Sequence, residues 1–248
     1  MYKKLSSIIF IVVSLSGCSQ KGSRDLPFNE APEERKEALT VLQNMKPQAL
    51  RMSFQRLEEV KFFQKVDLNE LDASGAVLGA EHKTVVADHG KWQSPKNVER
   101  TGVLKSAETH PETENPFTDL AALMMPEDAF FRQSKTLAQY VIRFLDPIQL
   151  PIGNIRVLEL MADPRARNLP EIRSMRLYIQ ESTSQLVGLD VKRTQSSWVY
   201  QEQTHTSVRL QWAQNRWLPV QADYTVLVKS FWSAPKHYRM TFKYAVPA

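Results

Sequence analysis

One cysteine, eight glycines and five histidines are all that 248 residues carry of three types on which much enzyme chemistry depends. A lone cysteine excludes any intramolecular disulfide, so packing and hydrogen bonds must hold the fold. The glycines form no phosphate-cradling loop, and no G-x-S-x-G elbow occurs, which removes the strongest hydrolase signal. His82, His89, His110, His205 and His237 are scattered, with no i, i+4 pair and no H-E-x-x-H, so neither a metal nor a cofactor is expected. His205 falls in a polar alternation with Gln203 and Ser207, which reads as a surface ladder. Asp190, Glu202 and Asp223 are the carboxylates whose convergence in space would suggest acid–base work, and sequence alone does not place them. Taken together these absences speak against an enzyme. No apolar run reaches the roughly 20 residues of a membrane-spanning helix.

The N-terminus does carry a signal. Lys3 and Lys4 precede an apolar run over residues 8–15, and small residues then lead to Cys18. A basic start, an apolar stretch of about 7–15 residues and a small-residue cleavage site mark an export signal. Leu15-Ser16-Gly17-Cys18 resembles the bacterial lipobox. That resemblance implies a lipoprotein signal peptide over 1–17 and a lipid on Cys18, and so a membrane held through an N-terminal anchor. An ordinary secretory signal with an incidental cysteine is the alternative. Ser19, where an aspartate would retain an enterobacterial lipoprotein at the inner membrane, implies the outer membrane facing the periplasm. Residues 18–29 read as a flexible polar tether, and 30–248 as one domain. The formal charge is +5, of which Lys3 and Lys4 supply two. The densest basic set, Arg165, Arg167, Arg173 and Arg176, suits a solvated face or a contact to anionic head groups or an acidic partner.

Pro32 followed by Glu33 and Glu34 predicts a helix that Pro47 stops, with Ala38, Leu39, Val41, Leu42 and Met45 on its apolar stripe. Leu50, Met52 and Phe54 alternate with polar residues and predict a strand, as do Val60, Phe62 and Val66, then residues 77–78 and 83–91. Residues 94–116, rich in proline and glutamate, read as a long exposed loop, and 119–125 as a short helix. Leu137, Tyr140, Val141, Phe144 and Leu145 recur at helical spacing, so a second amphipathic helix is expected over 134–145. A strand at 155–160 follows. Five alternating segments then run to the C-terminus. Met175, Leu177 and Ile179 mark the first, Val187, Leu189 and Val191 the second, and Val208, Leu210 and Trp212 the third. After a turn at Gln214-Asn215, the fourth runs from Leu218 to Val228 and the fifth from Tyr238 to Val246.

Strands that follow one another without crossover helices predict an α+β fold, a strongly curved antiparallel sheet forming an open half-barrel, with the two amphipathic helices over its apolar face. The space between sheet and helices is either packed shut or open to an apolar ligand. The order of helix, strands, inserted helices and C-terminal strands, with Trp217-Leu218-Pro219 opening a late strand and 186–192 ahead of it, resembles the Lol-type lipoprotein carrier and receptor superfamily. The resemblance implies capture of an acyl chain or a lipid-modified polypeptide in the groove. About ten buried methylenes at about 0.8 kcal/mol each would suffice without acid, base or metal. The groove candidates are Met52, Phe54, Phe62, Leu177, Ile179, Leu210, Trp212, Tyr224, Met240 and Phe242, with Leu137, Val141 and Phe144 from the lid. Core packing is the alternative role of each. A non-catalytic assembly lipoprotein, using the sheet to meet an envelope protein partner, is the alternative function. Aromatic and basic residues near the C-terminus would suit single-stranded nucleic acid, but an envelope location argues against that partner. Phe231-Trp232 lies in a turn, where it would touch a membrane or a partner.

Overall fold

The computed structural model describes residues 32–93, 96–102, 126–166 and 168–247. The expected signal peptide, tether, Cys18 and the helix over 119–125 lie outside the described residues. Helix α1 (Pro32–Asn44) starts with a proline at a position where a missing N–H costs nothing, and Glu33 and Glu34 stand at its positive end. Ala38 and Leu42, with Met45 just beyond the helix, form its buried stripe. The Arg35 guanidinium donates to the carbonyls of Leu137 and Tyr140, both at 3.1 Å, and ties the start of α1 to the sheet.

The next segment is helix α2 (Gln48–Leu57), not the expected strand. Leu50 and Phe54 satisfy a period of two and a period of 3.6 equally well, so the two readings differ at Met52, Ser53 and Leu57. Leu57 is buried and Met52 is 43% exposed, which is the helical outcome.

Eleven strands form one sheet among the described residues. They are β1 (Phe62–Leu71), β2 (Val77–Asp88), β3 (Lys91–Trp92), β4 (Lys96–Gly102), β5 (Tyr140–Leu150), β6 (Gly153–Ala162), β7 (Ile172–Gln180), β8 (Gln185–Ser196), β9 (Tyr200–Ala213), β10 (Arg216–Ser230) and β11 (Lys236–Ala245). The order is β3-β2-β1-β11-β10-β9-β8-β7-β6-β5, with β4 also on β2, and every pairing is antiparallel. The two ends of this path do not pair, so the sheet is open. Irregularities at Leu145/Ile148, Tyr178/Ile179 and Pro219/Gln221 supply the bends that curve it. Gln214 and Asn215, with φ of 49° and 60°, close the β9–β10 hairpin as a two-residue turn whose twist matches the strands.

Two stretches depart from the sequence expectation. Residues 96–102 lie within the expected loop but form β4, whose side chains are exposed throughout. An edge strand of this kind carries no apolar alternation to betray it. The expected helix over 134–145 is only the short α3 (Ser134–Leu137) before β5 begins. Tyr140, Val141, Ile142 and Phe144 are β-branched or aromatic, and β5 is the outermost strand on its side. Its edge position and the irregularity beside it make room for Pro147 within a strand.

The concave face holds the core. Leu158, Leu177, Leu189, Val208, Ala222 and Phe242 lie on it in adjacent register positions. Helices α1 and α2 and a 3-10 turn (Asp128–Phe131) cover part of it, and Phe131 is buried against the same cluster. A smaller cluster of Ile155, Val187 and Trp217 is closed by the indole N–H of Trp217, which donates to Gln180 Oε1 at 3.0 Å.

Candidate functional site: the open end of the concave face

Followed along β10, the concave face changes character. Ala222 is buried, whereas Tyr224, Val226 and Val228 are half-buried. The register places Met240 and Tyr238 of β11 beside Tyr224 and Val226, and Thr206, Thr204 and Glu202 of β9 on their other side. Leu68 of β1 lies next to Met240. An apolar shelf thus continues the core beyond the helical cover, with polar groups along both margins, since Glu70 pairs with Tyr238 and Glu81 with Leu68 on the side away from β9. Burial raises the Tyr224 hydroxyl above its ordinary pKa, the Glu202 charge adds to this, and Arg193 opposes it. Burial likewise pushes Tyr140 up to about 12, and its hydroxyl donates to the Ile172 carbonyl at 3.1 Å. Both phenols therefore stay neutral at physiological pH.

The candidates named from sequence divide into three groups. Phe54, Phe62, Leu137, Leu177, Ile179 and Phe242 are buried in the main cluster, where Phe54 meets Tyr244 edge-on at 6.2 Å between centroids. Phe144, Leu210, Tyr224 and Met240 are half-buried against that cluster, and of these Tyr224 and Met240 stand on the shelf. Met52, Val141 and Trp212 are placed elsewhere. Met52 is on the solvent side of α2, and Val141 is on the strand face opposite Tyr140 and Ile142, because its segment is a strand rather than a lid. Trp212 is 43% exposed and packs edge-on against Trp217 near the β9–β10 turn, at the other end of the strand from the shelf. Val226, Val228, Tyr238 and Leu68 complete the shelf. Their alternation is visible in the sequence, but not where the helical cover stops.

The convex face carries charge in cross-strand rows. Glu159 stands between Arg143 and Arg176, accepting from the Nε of each at 2.8 and 2.7 Å. Burial opposes its ionisation, yet the hydrogen bonds from Arg176 and Arg143 outweigh burial and hold the carboxyl below the usual glutamate range. Asp190 accepts from Arg209 at 2.9 Å and from the Tyr178 hydroxyl at 2.8 Å, and the Arg209 guanidinium lies 4.4 Å from the Tyr178 ring centroid. Gly188 makes room for that ring, since a Cβ there would lie 3.1 Å from Tyr178 Cδ2.

Asp190 and Asp223 both pair with Ser207 in register, while Glu202 lies on the opposite face. The three carboxylates therefore do not converge. Asp223 accepts from Thr241 at 2.8 Å and Gln221 at 2.7 Å. Burial and the Lys192 charge lower the pKa of His205, which keeps it neutral. Among the described residues, no three His, Cys, Asp or Glu side chains are grouped to hold a metal ion. No described helix is long and apolar enough to cross a membrane.

No protein-family model and no curated protein matches the chain in sequence. Three solved structures align over most of its length. A domain described as an outer membrane lipoprotein-sorting protein from Vibrio parahaemolyticus is 8% identical, with 86% of this chain and 93% of that chain covered and a TM-score of 0.30. A LolA superfamily protein from Nitrosomonas europaea is 9% identical, covering 85% and 94%, at 0.24. A DUF1329 family protein from Desulfovibrio piger is 8% identical, covering 84% and 91%, at 0.25. Likenesses of this size carry no argument about function, which rests on the geometry of the concave face.

Proposed function

We propose that this protein is a non-catalytic, lipid-anchored component of a bacterial envelope that takes an acyl chain, free or carried by a lipoprotein, onto the open end of its concave face. The observation that carries the reading is the half-buried apolar shelf formed by Tyr224, Val226, Val228, Tyr238 and Met240, continuous with the packed core and left outside the cover of α1 and α2. An apolar surface of this kind binds by excluding water and needs no reactive group. The Thr204 and Glu202 margin supplies polar groups for the end of a ligand that stays in water. The lipobox resemblance at residues 15–18 supports a lipid on Cys18 and Ser19 supports the outer membrane, with 18–29 as tether and 30–248 as the binding domain.

The test is native extraction of the purified full chain, without hydrolysis, followed by mass spectrometry. Hydrolysis is omitted so that a lipid bonded to Cys18 stays on the protein. Roughly one non-covalently held lipid per chain is expected, lost when Val226→Glu and Met240→Glu place charges on the shelf. Extracts without lipid, from a chain that also fails to take up a fluorescent fatty acid, would overturn the reading. The anchor is tested separately: Cys18→Ser should release the protein from washed membranes, and its retention would refute lipidation.

A further inference from the structure

The end of the sheet beyond the shelf exposes three large aromatic side chains. Trp198 in the β8–β9 turn is 90% exposed, and Phe231 and Trp232 in the β10–β11 turn are 78% and 76% exposed. The two turns are neighbours, because the Phe231 N–H donates to the Val199 carbonyl at 3.0 Å and Ser230 pairs with Tyr200. Neither turn is loose. Ser197 N–H donates to the Tyr200 carbonyl at 2.8 Å, the Ser197 hydroxyl oxygen accepts from the N–H of Val199 and Tyr200, and the Ser233 N–H donates to Ser230 Oγ at 3.1 Å. The Phe231 and Trp232 rings lie edge to face, 4.9 Å apart. Closed turns thus present the aromatics outward as one tip.

The geometry points to this tip as a membrane-docking element that inserts Trp198, Phe231 and Trp232 into the head-group region of a bilayer. Two observations select a bilayer over a protein. Side chains of this size offer about 150–250 Å² each, so the tip exposes roughly 500–600 Å², less than the roughly 800 Å² that each partner buries in a stable protein interface. A bilayer demands no such matched area, and tryptophan concentrates at its interface. Finally, α1 starts at this same end. Arg35 holds the Tyr140 and Leu137 carbonyls, Tyr140 feels the Arg193 charge, and the Thr194 N–H donates to the Glu171 carbonyl beside Ile172. A tether from the membrane to Pro32 would therefore hold the tip toward the bilayer, with the shelf opening beside it. The proposal goes beyond the lipid-binding reading and does not need the shelf to hold a ligand.

The test uses the full chain and vesicles of phosphatidylglycerol with brominated phosphatidylcholine, whose bromines quench tryptophan at acyl depth. Comparison with Trp198→Phe and Trp232→Phe chains assigns the emission. Trp212 and Trp217, near the β9–β10 turn at the opposite end of the sheet, report the reverse orientation. Quenching confined to Trp198 and Trp232 is expected, together with at least a tenfold fall in vesicle partitioning of the chain carrying Cys18→Ser when Trp198→Ser, Phe231→Ser and Trp232→Ser are added. Equal quenching of Trp212, no quenching at all, or a concentration-dependent dimer that the triple substitution abolishes would overturn the proposal. The quenching arm needs no serine variant, so it decides the matter even if that variant misfolds. Lipid recovered from the shelf with an unquenched tip would refute this proposal alone.

Discussion

Replacing Glu159 with glutamine should lower stability by about 2 kcal/mol and leave lipid recovery unchanged. The carboxylate is buried, its side chain 5% exposed, and it joins three strands by accepting from Arg143 and Arg176. Breaking a fully buried pair by removing one partner costs about 3–5 kcal/mol, because a charge is left without compensation. Here the two guanidinium side chains are 35% and 50% exposed and regain water when released, which places the cost at the lower end or below it. Glutamine also keeps one acceptor oxygen. For a domain of 150–250 residues, about 2 kcal/mol corresponds to a fall in Tm of about 4–8 °C.

Denaturant titration and thermal melting of both chains measure the loss, with an unchanged m-value showing that the unfolded reference is the same. The pH dependence provides a second check. A carboxyl whose folded pKa is lowered adds stability above its unfolded value and loses it as pH falls through the folded value. The gap between wild type and Glu159→Gln should therefore be full above about pH 5 and narrow as pH drops below the ordinary value of 4.5. A Tm change under 1 °C, or a gap that stays constant through the acidic range while both chains remain folded, would refute the reasoning.

Other substitutions probe separate parts of the structure. Phe54→Ala should cost about 3–5 kcal/mol and Met52→Ala no more than about 0.5 kcal/mol, measured by denaturation; equal losses would contradict the helical register of α2. Gly102→Ala drives a Cβ into the Leu78 carbonyl oxygen at a φ of +67°, so β4 should detach from β2, seen as faster amide exchange at residues 96–102 with the core unaffected. Removing the guanidinium by Arg209→Met should raise the Asp190 pKa, since the hydrogen bond and charge that most oppose burial would be gone; NMR titration of the carboxyl reads the change, and an unmoved pKa would refute the assignment.

The five C-terminal strands were legible in sequence because apolar and polar side chains alternate along most of each, so a period of two survives in the residues themselves. Val208, Leu210 and Trp212, or Tyr238, Met240 and Phe242, need no tertiary information to be read as strands. The segments that misled are those where two periods coincide or where neither applies. Leu50 and Phe54 suit helix and strand alike, and the exposure of Met52 with the burial of Ser53 and Leu57 decides between them. Tyr140, Val141 and Phe144 carry a helical spacing by composition, but β6 offers them an unpaired edge, and backbone pairing over eleven residues prevails over a stripe with little to cover. The exposed β4 strand is held by the backbone and by the Arg100–Glu81 pair at 2.8 Å, neither of which leaves an apolar pattern.

The same reasoning explains why the shelf was only partly visible. Alternation tells which side chains point to the concave face, but it is the reach of α1 and α2 that divides this face into core and shelf. Phe242 and Met240 are two residues apart on one strand and on one face; Phe242 is buried and Met240 is half-buried, because the cover ends between them. No property of either residue reports that boundary. Among the described residues, β9, β10 and β11, at 14, 15 and 10 residues, extend past helices α1 and α2 of 13 and 10 residues that rise less than half as far per residue, so part of the apolar face lies beyond those two helices. Binding capacity on this reading is a mismatch of lengths between the strands and the helices that cover them.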